Sequence, residues 1–338
     1  MTAQTTPRLK RIARIPLIIL MGLLCLIMLL AGVLSSYHVL ATRHEKAANP
    51  APGAMVDVDG KMMHVYTQGQ GDTTYVVLSG GGIGAPVLEY RPLWSRLSQH
   101  GRVAVVEYMG YGWSDDTDAP RTSERIVEEI RAALRGAHVE PPYVLVAHSI
   151  GGIYAMKYAQ LHEDELEAIV ALDTTLPQSI VQARAHGQSI GQSRPPFGAI
   201  SLLRKTGILR ALLRINPLLV SGAPEGVYAE DEARKIAMVT GWNYAGRALI
   251  NEFEAVERNM TDLADAALPR ALPVLMIQAS PPDEPSEAHA WSLSERKRLT
   301  ENLDHAKVVE LPAGHSGIYW TLSDDIVKQT LSLLEQAP

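Results

Sequence analysis

From Tyr75 onward, short apolar runs alternate with segments of helical periodicity, and this alternation constrains the fold more than any other feature of the chain. Tyr75–Leu78, Val103–Val106, Tyr143–Ala147, Ala168–Leu172, Val274–Ala279 and Lys307–Leu311 read as strands. Val87–Gln99, Ser123–Leu134, Gly152–Leu161, Ser292–Leu303 and Asp324–Leu334 read as helices between them. Runs this short and this apolar need cover on both sides. They predict an α/β fold with a mostly parallel central sheet and helices on both faces. Crossovers should be right-handed, and reactive groups should collect at the carboxyl ends of the strands. Ahead of this block, Met55–Gln68 alternates about Asp59-Gly60, a hairpin signal. Residues 174–268 break the alternation. Their Leu, Ala, Arg and Glu content predicts a helical insertion, read as a lid.

The N-terminus carries a different signal. Arg8, Lys10, Arg11 and Arg14 precede Ile15–Thr42, a stretch without Asp, Glu, Lys or Arg. About 20 helical residues span a bilayer core of about 30 Å. A cleaved signal peptide has a shorter apolar core, of about 7–15 residues, and a small-x-small exit, which this chain lacks. Residues 1–46 are therefore read as a cytoplasmic tip and transmembrane anchor in contact with the membrane over 15–42, and residues 47–53 as a linker. The cations before the span outnumber Arg43 and Lys46 after it, so the rest of the chain should lie outside the cytoplasm. The single cysteine, Cys25, falls inside the span, which excludes a disulfide framework and a thiolate metal site. A balance of 31 Lys and Arg against 37 Asp and Glu gives a net charge of −6 and argues against a nucleic-acid partner.

The strongest chemical motif is Ala147-His148-Ser149-Ile150-Gly151-Gly152, directly after one strand and directly before a helix. A serine at such a turn is held in a strained backbone with its hydroxyl exposed. The N–H groups that follow begin a helix and can stabilise negative charge.

With this motif the chain resembles the α/β-hydrolase-fold serine hydrolases, from about Val56 to the C-terminus. Leu78-Ser79-Gly80-Gly81-Gly82-Ile83-Gly84 resembles the family's His-Gly-Gly loop, with Ser79 in place of His. Glu107-Tyr108-Met109-Gly110-Tyr111-Gly112-Trp113-Ser114-Asp115 resembles its Asp-x-Arg-Gly-x-Gly-x-Ser-Asp segment, with Glu107 and Met109 as departures. His148-Ser149-Ile150-Gly151-Gly152 resembles the nucleophile elbow, whose first glycine is here Ala147. Gly314-His315 resembles the catalytic histidine loop.

The resemblance implies core residues 54–173 and 269–338 around the lid at 174–268. It implies Ser149 as nucleophile, His315 as general base, and an oxyanion hole from the N–H groups of Gly81 and Ile150. His148 and His305 are rivals for the base, and topology favours His315. The triad acid is either Asp173, at the end of a strand, or Asp283, where most of the family keeps it. The stiffness of a strand end favours Asp173.

The expected activity is a membrane-anchored hydrolase of a carboxylic ester with an acyl or lipid-like substrate. A peptidase or amidase on the same fold and a catalytically silent ligand-binding protein are the alternatives. Serine at 149 argues against dehalogenase and epoxide-hydrolase chemistry, which use an aspartate nucleophile in the family. No cofactor, metal site or phosphate loop is expected, and the oligomeric state stays open. Residues 174–224 hold six cations (Arg184, Arg194, Arg204, Lys205, Arg210 and Arg214) and no acid. They read either as solvated surface or as a basic, Leu-rich flap near anionic headgroups.

Overall fold

The computed structural model describes residues 14–185, 195–281 and 286–337. Arg8, Lys10, Arg11, Arg194 and Asp283 lie outside the described residues. The strands are β1 Ala54–Val58, β2 Lys61–Gln68, β3 Thr74–Leu78, β4 Arg102–Glu107, β5 Tyr143–His148, β6 Leu166–Leu172, β7 Val274–Ala279 and β8 Ala306–Leu311. They form one sheet in the order β1-β2-β4-β3-β5-β6-β7-β8. The β1–β2 hairpin and the β2–β4 pair are antiparallel, and all other pairs are parallel.

The helices are α1 Arg14–Ala48, α2 Pro86–Glu89, α3 Arg91–Leu97, α4 Ser123–Gly136, α5 Gly151–Leu161, α6 Ser179–Ala185, α7 Phe197–Lys205 and α8 Ile208–Ile215. They continue as α9 Glu230–Asn243, α10 Arg247–Thr261, α11 Glu287–Thr300, α12 Ile318–Thr321 and α13 Ser323–Leu334.

Because side chains alternate along a strand, each central strand feeds two cores. Val76, Leu78, Ala104, Val106, Leu145 and Ala147 pack on one face with Ile126 and Ile130 of α4 and Ile153 of α5. Tyr75, Val77, Val103, Val105, Val144 and Val146 pack on the other with Leu93 and Leu97 of α3 and Ile326 of α13. Strands buried on both faces are what continuous apolar runs encode.

Several boundaries differ from the sequence reading. The helix expected over Val87–Gln99 is split at Tyr90 into α2 and α3. Pro92 supplies no N–H, so the chain restarts, with Leu93 and Trp94 both donating to the Tyr90 carbonyl. The helix expected from Ser292 begins at Glu287, because the Ser286 side chain caps it by accepting from the His289 N–H. At the N-terminus α1 runs on to Ala48, two residues into the stretch read as linker. It ends before Pro50, with the Asn49 N–H and side-chain amide both on the Glu45 carbonyl. Its most apolar 18 residues have a mean hydropathy of 3.1 and none of them is buried, so it is long and apolar enough to cross a membrane.

Between β6 and β7 the chain forms α6 to α10 and no strand among the described residues. These helices are tied to the core. Arg121 forms a buried ion pair with Glu129 of α4, and Asn259 of α10 receives the Ser123 N–H and donates to the Arg121 carbonyl. Trp242 of α9 packs edge-on against Trp113.

Glu89, at the end of α2, is fully buried and accepts from the Ala85 N–H at 2.9 Å. Burial pushes its carboxyl up to about 7, helped by the charge of Glu107 and opposed by the Ala85 and Gly84 N–H groups and the Ser221 hydroxyl. A raised folded-state value means that stability is full below the ordinary glutamate range and is lost as pH rises toward 7. Glu89→Gln should remove that loss. Denaturation midpoints at pH 5 and pH 8 should therefore differ less in the variant than in the parent. Equal differences would show that Glu89 does not titrate in this window.

Candidate active site

The register of the sheet sets the site. Leu78 pairs with Ala147, His148 with Leu172, and Leu172 with Ile277. The loop from Ser79, the turn at Ser149 and the residue after β6, Asp173, therefore leave the sheet side by side at its carboxyl edge. The edge lies where strand order reverses: β3 is followed by β4 on one side and by β5 on the other.

Ser149 has φ +54° and Asp173 has φ +42°, both in the left-handed region that L residues avoid. The Ser149 turn is held by its N–H on the Leu172 carbonyl and by the Thr175 N–H on its own carbonyl. Gly151 is required for packing, since a Cβ there would stand 2.6 Å from the Leu78 carbonyl oxygen. Ala147 adds one methyl group, which is buried in the core beneath β5.

His315 lies in the loop after β8. Its Nε2 is 3.0 Å from Ser149 Oγ, and its Nδ1 is 2.6 Å from Asp173 Oδ2. The structure thus brings together Ser149, His315 and Asp173. His305 precedes β8 at the opposite edge of the sheet, where its carbonyl accepts from the Val274 N–H.

Burial alone would raise the Asp173 carboxyl. The hydrogen bond and charge of His315, the charge of Arg296 and the Ala279 N–H outweigh it and hold Asp173 below the usual aspartate range. Arg296, on α11, is almost completely buried. It donates to Asp173 Oδ1 at 3.2 Å and to the Thr174 carbonyl at 3.0 Å. The sequence reading missed it. Arg296 stands 123 residues from Asp173 in a polar helix without a marked apolar face, and no local pattern marks it.

His148 turns inward, away from Ser149, and is buried. Its Nε2 donates to the His315 carbonyl at 3.2 Å, so its Nδ1 accepts from the Tyr90 hydroxyl at 2.7 Å. The Tyr90 oxygen accepts in turn from the Gly80 N–H at 2.9 Å. Burial, together with the charge of His315, lowers His148 to about 3, so it stays a neutral strut between the glycine loop and the histidine loop.

The glycine loop lies beside the residue that follows Ser149. Gly80 donates to Tyr90, and Gly82 donates to Tyr111 at 3.2 Å. Between them, the Gly81 N–H has no acceptor among the described residues, and neither has the Ile150 N–H. Gly81 sits between Ile150 and Phe253: a Cβ there would stand 3.1 Å from Phe253 and 3.3 Å from Ile150.

Tyr111 leads to a second residue the sequence did not mark. Its hydroxyl donates to Glu252 Oε2 at 2.7 Å, while Tyr154 donates to Oε1 at 2.5 Å. Burial raises the Glu252 carboxyl, against the two tyrosine hydroxyls and Arg121. Through this pair α10 is fastened to the glycine loop.

Glu107 is a hub rather than a reacting group. It meets His64 Nδ1 at 2.9 Å, the Trp113 N–H at 2.8 Å and the Val87 N–H at 3.2 Å. Among the described residues, no group of three His, Cys, Asp or Glu side chains is placed to hold a metal ion.

The sequence pattern of the alpha/beta hydrolase family matches residues 75–327. This chain belongs to that family. It is 30% identical to the uncharacterized protein YbdG of Bacillus subtilis over 332 residues, 97% of this chain and 99% of that protein. A shorter match, 34% identical over 101 residues, covers 29% of this chain and 35% of a pimeloyl-[acyl-carrier protein] methyl ester esterase of Xanthomonas oryzae pv. oryzae. Among solved structures, the epoxide hydrolase VrEH1 of Vigna radiata superposes with a TM-score of 0.64 at 18% identity. That superposition covers 84% of this chain and 97% of the other. At that identity the likeness speaks to the fold of this alpha/beta hydrolase and not to its substrate.

Proposed function

We propose that this alpha/beta hydrolase is a membrane-anchored serine hydrolase that cleaves a carboxylic ester of an acyl or lipid-like substrate through an acyl-enzyme on Ser149. The observation that carries the reading is the hydrogen-bonded chain from Ser149 Oγ to His315 Nε2 and from His315 Nδ1 to Asp173. The Ser149 hydroxyl gives its proton to His315 Nε2 as Oγ attacks the carbonyl carbon. The resulting oxyanion takes hydrogen bonds from the N–H groups of Gly81 and Ile150, each worth about 3–4 kcal/mol of barrier. Collapse breaks the ester C–O bond, and His315 returns the proton to the departing alcohol. Water, deprotonated by the same imidazole, then releases the acid and restores Ser149. Asp173 fixes the imidazole tautomer and balances its positive charge. Arg296 holds the carboxylate from its far side.

In this reading residues 54–173 and 269–338 form the catalytic core, residues 174–268 a lid, residues 1–46 the anchor and residues 47–53 a linker. The cations before the span keep the N-terminus cytoplasmic and place the core outside. A serine at the elbow separates this chain from the epoxide hydrolase it superposes on. The methyl ester esterase named above lends weight to an ester.

Turnover of a p-nitrophenyl acyl ester against the p-nitroanilide of the same acid tests the bond class. The ester should be cleaved orders of magnitude faster. Comparable rates would favour the amidase reading, and cleavage of neither would favour a silent binder.

A further inference from the structure

The helix α8 carries one broad apolar stripe, only part of which is covered. Leu209 and Leu213 are buried against Ala237 of α9. Ile208, Leu212 and Ile215, spaced four and three residues apart on the adjoining flank of the stripe, are exposed, Ile215 by 83%. Leu202 of α7, 63% exposed, and Leu219 just beyond α8 extend this surface. A folded domain in water rarely leaves such a row uncovered.

The position of the row says what covers it. Gly207, between α7 and α8, rests on α1: a Cβ there would stand 3.0 Å from the Leu34 carbonyl oxygen and 3.3 Å from His38 Cβ. Leu34 closes the apolar centre of α1 that begins at Leu17, about 26 Å away along a helix rising about 1.5 Å per residue. That length nearly fills a bilayer core of about 30 Å, so Leu34 stands at the edge of the hydrocarbon layer. The elbow of α7 and α8 meets the anchor at that same level.

The contact is built rather than incidental. Arg210 of α8 is almost fully buried and reaches Glu45, Thr42 Oγ1 at 2.7 Å and His38 Nδ1 at 3.3 Å, all on α1. Arg214 donates to the Tyr37 hydroxyl at 3.0 Å, and Trp242 Nε1 donates to Glu45 Oε2 at 3.0 Å. Beside this seam, a cleft of about 230 Å³ is lined by Arg210, Arg214, Arg234 and the acid Glu45 together with Leu213 and Met238; Arg210 pairs with Glu45 and Arg234 with Glu230. Cations beside apolar side chains suit a headgroup phosphate above acyl chains.

We infer that the α7–α8 elbow is a second membrane contact. Ile208, Leu212, Ile215, Leu202 and Leu219 dip into the interfacial layer of the leaflet that α1 leaves on the catalytic side. The inference rests on the anchor reading and deepens it, because it fixes the orientation of the site. Phe197, at the start of α7, packs on Phe253 with ring centroids 4.7 Å apart, and Phe253 stands over Gly81. One helix thus runs from the membrane contact to the roof of the glycine loop, so the membrane contact fixes how the site is oriented to the leaflet.

The test uses the full chain with Cys25→Ser, reconstituted in phosphatidylcholine–phosphatidylglycerol vesicles. It carries a single environment-sensitive label at Ile215→Cys, at Met28→Cys within the span, or at Gln99→Cys, which precedes β4 at the amino edge of the sheet. Lipids spin-labelled near the headgroup should quench position 215 several-fold more than position 99, and lipids labelled deep in the chain should quench position 28. Quenching at 28 with none at 215 would keep the anchor and overturn the elbow contact. No quenching at either position would overturn the anchor reading itself. An unquenched but blue-shifted label at 215, whose shift fades as protein is diluted in the vesicles, would place a second copy on this face and overturn the inference.

Discussion

Asp173→Asn is expected to lower kcat by as much as about 10⁴-fold while leaving the fold and KM nearly unchanged. The amide can donate as well as accept, and a donating nitrogen at His315 Nδ1 holds the imidazole with its proton on Nε2. That nitrogen then cannot take the proton of Ser149. The effect should exceed the loss of one ordinary hydrogen bond, because Asp173 Oδ2 stands 2.6 Å from the ring and is held below the usual aspartate range. Arg296 makes Asp173→Asn informative in a second way. Removing the carboxylate charge leaves a buried guanidinium short of its counter-ion, which costs stability in proportion to its burial. A modest fall in denaturation midpoint should therefore accompany the large fall in kcat. Asp283→Asn, measured beside it, should retain near-parental turnover. A large loss in Asp283→Asn with near-normal Asp173→Asn would transfer the role to Asp283.

Ser149→Ala should remove ester turnover by as much as about 10⁶-fold, and His315→Ala by a similar factor, because a nucleophile and its base act as one unit. The losses should not multiply in the double variant. Circular dichroism should show both single variants folded. The backbone adds a check that bears on Ser149 alone. At φ +54° the serine is strained, by an amount in the range of about 1–3 kcal/mol for such positions. Glycine tolerates this conformation, so Ser149→Gly should be inactive and more stable than the parent. An inactive variant without that gain would show that the turn relaxes when the site is emptied.

The strands could be read from the chain because burial on both faces forces unbroken apolar runs, and the hairpin because Asp59-Gly60 suits its turn. The break at Tyr90 was also written there, in Pro92, but helical periodicity on both sides masked it. Ser149 and Asp173 sit directly after strands and His315 in the loop after the last one, and strand ends converge on one edge. The sequence alone leaves the acid between Asp173 and Asp283. Arg296 and Glu252 could not be named from it. Each is a charged residue within a helix whose pattern does not single it out, and its burial comes with a partner more than 95 residues away. The outer face of α8 was hidden for the opposite reason. A segment with a broad apolar stripe reads simply as Leu-rich until the packing shows which part of the stripe is covered. The cations of 174–224 looked scattered for the same cause: Arg210 points into the seam with α1, while Lys205 stays exposed.

The central claim is that Ser149 forms the covalent intermediate, and its most direct test is the site of reaction with a fluorophosphonate. The probe loses fluoride to an activated serine and leaves a stable phosphonyl ester in place of the acyl group. Peptide mass mapping of the labelled full chain should place that adduct on Ser149 alone, and Ser149→Ala should remain unlabelled. An unlabelled parent, or an adduct on a different residue that persists in Ser149→Ala, would contradict the account.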